Sequence, residues 1–139
     1  MEYVYPAILY KDKKLPDTWT VIFPDVEGAA TCGYSLYEAL AMAEDALAGM
    51  LASWEDAKAG KKEMTNRIVA PTPIDDIKAE PDEYSEKAIT TLIKVDTDLY
   101  RKAWSEMPHG EAEEMDDERE LPETLVRAIC KSAGIAVPA

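Results

Sequence analysis

The chain has 139 residues, 47% of them hydrophobic, enough for one domain of ordinary size with a buried core. A formal charge of −13 excludes a surface built to neutralise phosphate, so a basic protein is the more natural partner. Cys32 and Cys130 lie far apart in no metal-ligand spacing, which excludes a disulfide framework and a zinc site. No segment approaches eighteen apolar residues and no charged leader precedes an apolar run, so a soluble cytoplasmic protein is expected.

Tyr3 to Tyr10 (YVYPAILY) is aromatic and aliphatic and reads as a strand; Pro6 lacks an N–H, which places it near an edge or a bulge. Lys11 to Asp17 is a polar turn. Thr18 to Phe23 (TWTVIF) alternates Trp19, Val21 and Phe23 against Thr20 and Ile22, the period of a second strand. Pro24 to Gly28 is a turn, and Ala29 to Gly33 (AATCG) a short third strand.

The stretch GYSLYEALAMAEDALAGMLASWEDAKAG, Gly33 to Gly60, is one long amphipathic helix with both ends marked. Ser35 and Glu38 have the spacing of a capping box. Leu36, Ala39, Leu40, Ala43, Leu47, Met50, Leu51 and Trp54 form one stripe for burial. Gly60 suits the left-handed position after the last turn, and Lys58, Lys61 and Lys62 complement the helix dipole.

Residues 61–87 carry three prolines and no sustained period, which predicts a long connection with one helical turn at Ile74–Ile77. Ala88 to Val95 (AITTLIKV) is a fourth strand. Leu99, Tyr100, Ala103, Trp104 and Met107 have helical spacing, with Asp98 as the expected cap. Glu111 to Glu120 is an acidic linker, and Leu121 to Gly134 a short proline-started helix.

Three meandering strands, a helix and a fourth strand predict a small sheet with the helix across one face. A crossover through that helix would lay the fourth strand parallel to the first. Because successive strand residues face opposite sides, the other face keeps apolar side chains, best covered by a partner or a second copy.

Asp25, Glu27, Asp96 and Asp98 are the carboxylates that could converge on a divalent ion, but turn and cap roles account for all four, and neither metal nor cofactor is expected. His109, the only histidine, sits in a turn with no nucleophile order around it, so it reads as a surface residue and no catalytic site is expected.

The succession YPAILYKD, WTVIFPDVEGAATCGYSLYEAL, PTPIDDIKAEPDE and LIKVDTDLYRKAW resembles the N-terminal domain of HicB-type antitoxins over about residues 3–104. The resemblance implies an α+β, β-β-β-α-β partial ribonuclease-H-like domain over residues 1–107. Residues 108–139 would be an acidic linker and short helical extension. It implies a non-enzymatic protein that occludes a small basic HicA-type mRNA-cleaving toxin, acting as a homodimer or tetramer. Partner-binding residues would be Tyr3, Tyr5, Trp19, Asp25 and Glu27. The alternatives are an operon repressor using a ribbon-helix-helix-like C-terminus, and a solitary protein-binding domain of prophage origin. The tail DERELPETLVRAICKSAGIAVPA is similar to the strand and first helix of such a repressor, but it lacks residues for a second helix, and its acidic strand would be repelled by DNA.

Overall fold

The structure is a computed structural model that describes residues 1–106 and 120–133. Its elements are β1 (Glu2–Asp12), β2 (Trp19–Ile22), β3 (Ala30–Gly33), α1 (Leu36–Lys58), a 3-10 turn (Ile74–Asp76), β4 (Ser85–Asp96), α2 (Thr97–Glu106) and α3 (Glu123–Ala133). His109, the acidic run before Glu120 and the helix stop at Gly134 lie outside the described residues.

The sheet has the order β3-β2-β1-β4 and every neighbouring pair is antiparallel. The expected parallel arrangement of β4 and β1 is therefore corrected. A short link from α1 would have returned β4 in the direction of β1. Instead the connection first bonds to the β2–β3 turn, through the bridge Val26↔Ile68, and then travels to the far end of β1, where Lys13 N–H donates to the Tyr84 carbonyl (3.0 Å). It crosses the length of the sheet, so β4 enters from the opposite end.

Pro6 sits in a central strand, yet its missing donor costs nothing. The β1–β2 register begins only at Ile8↔Ile22, while Pro6 pairs with Leu92 of β4. Even-numbered β1 residues turn their N–H toward β2, as Asp12 does in donating to the Thr18 carbonyl (2.9 Å), and no strand reaches Pro6 on that side.

Helix α1 starts and stops where local chemistry dictates. Glu38 N–H donates to Ser35 Oγ (3.0 Å), and Tyr34 N–H to Glu38 Oε1 (3.2 Å). At the far end Gly60 takes φ +77; its N–H donates to the Ala57 carbonyl and Lys61 N–H to the Asp56 carbonyl, a Schellman ending. Ala39, Ala43, Leu47 and Leu51 are buried against Tyr5, Ala7, Leu9, Trp19, Val21, Phe23, Ile93 and Val95. Leu36, by contrast, is exposed at the rim of the stripe.

The helix does not stand alone. On one side α2 packs on α1, where Gly49 leaves room for Tyr100; a Cβ there would lie 3.0 Å from the Tyr100 hydroxyl. Across the sheet α3 packs against β2 and β3, burying Leu125, with Thr124 Oγ1 donating to Asp82 Oδ2 (2.9 Å) and Tyr34 OH to the Glu120 carbonyl (3.2 Å). The face away from α1, which the alternation left uncovered, is thus partly covered by the chain's own C-terminal helix, and Pro6 and Ile8 on that face are buried.

Candidate protein-binding surface

The five residues expected to touch a partner are mostly used inside. Trp19 is buried in the core, with the Lys87 ammonium 5.6 Å from its ring centroid. Tyr5 is buried and donates its hydroxyl to the Val69 carbonyl (2.9 Å). Asp25 is buried in the β2–β3 turn, where its carboxylate accepts from Thr72 N–H and Thr72 Oγ1–H, both 2.7 Å. Its own carbonyl accepts from Val69 N–H, and Glu27 N–H donates to the Arg67 carbonyl. The Glu27 side chain is exposed and Tyr3 half-buried.

Tyr3 belongs to a polar cluster that ties the end of α1 to β1 and α2. Glu55 accepts from Tyr3 OH (2.7 Å), Thr97 Oγ1–H (2.9 Å) and Arg101 (3.0 Å), and Arg101 also reaches Asp56 (3.0 Å) and the Ala52 carbonyl (2.8 Å). Burial would raise the Glu55 carboxyl, but hydrogen bonds from Tyr3, Arg101 and Thr97 and the guanidinium charge outweigh it and hold the group below its ordinary value. Burial, then the bond to Glu55, push the Tyr3 phenol up to about 12. A group raised from 10 in the folded state contributes stability that is complete below pH 10 and is lost as pH rises through about 12. Denaturant melts of wild type and Tyr3→Phe between pH 9 and pH 12 are therefore expected to converge as Tyr3 ionises; parallel curves would show that the phenol is not held by Glu55.

Asp25 and Asp96, two of the four carboxylates that could have converged on a divalent ion, hold protein N–H and O–H groups instead. Asp96 caps α2, accepting from Asp98 N–H (2.8 Å) and Leu99 N–H (3.3 Å), so the cap is Asp96 and the expectation for Asp98 is corrected. β4 ends one residue before the helix, and only Asp96 has the reach. Among the described residues no three of His, Cys, Asp and Glu are grouped to hold a metal ion. No described helix is long and apolar enough to cross a membrane.

The surface suited to a protein is the face where α2 crosses α1. Leu99 is 66% exposed and Trp104 56% exposed, with Tyr100 stacked on Trp104 at 6.4 Å between centroids. Two grooves flank Tyr100. One, of about 390 Å³, is lined by Ala41, Glu44, Asp45, Lys94 and Leu99 among others; the second, of about 510 Å³, by Ser53, Asp56, Lys62, Arg101 and Trp104. Glu44 and Asp45 are exposed on α1, and Asp98 and Glu106 on α2. Lys94 and Lys62 line these grooves, while Arg101 is bound to Glu55 and Asp56. Large apolar side chains within a charged rim can bury against a protein partner. A further groove of about 530 Å³ lies between α3 and the sheet, lined by Glu27, Asp82, Arg127 and Lys131 among others. The helical spacing of Leu99 and Trp104 was visible in the sequence, but spacing alone assigns such residues to a core.

Comparisons with known proteins agree with this architecture. A solved structure described as a toxin–antitoxin complex from Streptococcus pneumoniae is similar in fold, with a TM-score of 0.54 and 22% sequence identity over 98% of this chain and 91% of that one. A search of curated protein sequences finds no significant match. The family model for the HicB-like antitoxin of bacterial toxin–antitoxin systems matches residues 5–108, three quarters of the chain including α1, α2 and all of the sheet except the start of β1, and the chain accordingly belongs to the HicB-like antitoxins.

Proposed function

We propose that the chain neutralises a cognate, small, basic HicA-type mRNA-cleaving toxin by covering it, without catalysing a reaction. The observation that carries this reading is the α1–α2 face, where exposed Leu99 and Trp104 stand among Glu44, Asp45, Asp98 and Glu106 on a protein of charge −13. Family membership supports the antitoxin role, and the similar fold is that of a chain from a toxin–antitoxin complex. The carboxylates would steer a cationic toxin and the apolar centre would hold it.

Co-expression with the product of the adjacent gene, followed by co-purification and a growth-rescue test, checks the role. The surface is checked by the double change Leu99→Asp and Trp104→Ala, which is expected to weaken binding ~1,000-fold, since two anchors buried on binding are each worth about 2 kcal/mol. Association is expected to slow as ionic strength rises. An unchanged affinity in the double variant would place the toxin elsewhere; loss of rescue without co-purification would remove the antitoxin reading itself.

A further inference from the structure

We propose that Arg101 is the positioning residue of the α1–α2 face: it fixes how the second half of α2 lies on α1, and so where Trp104 stands relative to Leu99. This rests on the reading of that face as the toxin-binding surface. Helix α2 has 10 residues, too short to hold its shape alone in water. Its first turn is secured by Asp96, which accepts from two N–H groups, and by Thr97, which is fully buried and bonded to Glu55. Beyond Arg101 every described residue of the helix, Lys102 to Glu106, is exposed. Arg101 is therefore the last partly buried residue of α2, and the two apolar anchors stand on either side of it in the chain.

The grip of Arg101 spans a full turn of α1. Ala52, Glu55 and Asp56 are spaced three and four apart, which puts them on one face of the helix. Nη2 of Arg101 donates to the Ala52 carbonyl (2.8 Å) and to Glu55 Oε1 (3.0 Å), and Nη1 lies 3.0 Å from Asp56 Oδ1. Three acceptors around a rigid planar fork leave the guanidinium one orientation. Glu55 is itself fixed, because its other oxygen accepts from Tyr3 OH (2.7 Å) and Thr97 Oγ1–H (2.9 Å). The strut thus runs from β1 through α1 to α2. Beside it Gly49 leaves the space that Tyr100 fills, and Tyr100 stacks on Trp104. The Arg101 side chain is 39% exposed, and an ion pair that open to water adds little to global stability. Its effect belongs to the local order of the face. A helix end that swings free presents Trp104 correctly only part of the time, and affinity falls by that fraction.

The first readout is made on the whole chain without any toxin. In protein labelled with 5-fluorotryptophan, Arg101→Met is expected to move the Trp104 fluorine resonance toward that of the free amino acid, while the resonance of buried Trp19 stays in place. Trp104→Phe assigns the signal. The second readout uses the purified product of the adjacent gene. Arg101→Met is expected to bind it about 10-fold more weakly, through slower association, with the dissociation rate changed less than about twofold. Slower association runs against the electrostatics, since removing a positive charge from a chain of charge −13 speeds encounter with a cationic toxin. Arg101→Lys keeps the charge but cannot reach all three acceptors, so it is expected to follow Arg101→Met. Should the Trp19 resonance show that Arg101→Met unfolds, Arg101→Lys carries the same comparison. An unmoved Trp104 resonance overturns the proposal, as does a wild-type association rate in Arg101→Met or full binding in Arg101→Lys. The Leu99→Asp, Trp104→Ala chain in the same assay separates the two readings. Normal binding there refutes the face itself and this proposal with it; lost binding there, beside an unaltered Arg101→Met, refutes only the role of Arg101.

Discussion

A Gly33→Ala variant is expected to lose a large share of its folding stability. Gly33 ends β3, and the chain turns back at once through the Ser35 cap into α1. A Cβ at Gly33 would lie 2.2 Å from the Ala39 nitrogen, 2.5 Å from its Cα and 2.7 Å from the Glu38 carbonyl carbon. These are backbone atoms of the first helical turn, so no rotamer change relieves the overlap. Either α1 lifts away from the sheet, uncovering Ala39, Ala43 and Leu47, or β3 separates from β2. Both cost more than the ~1–3 kcal/mol typical of overpacking, and ~4 kcal/mol or more is a large share of the ~5–15 kcal/mol that holds an average domain together. Equilibrium urea melts followed by circular dichroism measure it. A midpoint shift near zero would mean that the strand-to-helix corner is looser than its geometry implies.

The second large effect is expected at Asp25, where alanine should cost about 3 kcal/mol. Each charge-assisted hydrogen bond is worth ~1.5–3 kcal/mol net, and the loss of both leaves Thr72 N–H and its hydroxyl without their acceptor. The damage should be local as well as global, because Asp25, Val26 and Glu27 together fasten residues 67–72 to the β2–β3 turn. Hydrogen exchange of Val69 and Thr72 is therefore expected to accelerate more than that of Leu9 or Leu47. Glu27→Ala, two residues away with an exposed side chain, is the control and should stay within ~0.5 kcal/mol of wild type. Equal effects at the two positions would contradict the clamp.

Much of the fold was legible before any coordinates. Helix α1 begins after Ser35 and ends with Gly60 at the left-handed position because these are interactions among residues at most five apart, and nothing distant can overrule them cheaply. The four strand segments follow from side-chain type, and the turn at Ile74–Asp76 from local composition. The site was less legible. Tyr5, Trp19 and Asp25 looked like contact residues by type, yet each is enclosed by segments far away in the chain: Tyr5 by Val69, Asp25 by Thr72, Trp19 by the core under α1. Leu99 and Trp104 looked like core and are exposed, since α1 fills that face of the sheet and α2 lies outside it.

What the sequence by itself determined is the set of elements, their ends and the family to which the chain belongs. Its net charge set the sign of partner to look for. Only the tertiary structure decided that β4 runs antiparallel to β1, that α3 returns to the open face of the sheet, and that β4 is an edge strand of that sheet. The reason is the same in each case. Strand direction and helix docking depend on where a 59–84 connection or a C-terminal segment finds hydrogen-bond and apolar partners, and those partners are separated from it by dozens of residues, beyond the reach of any local pattern.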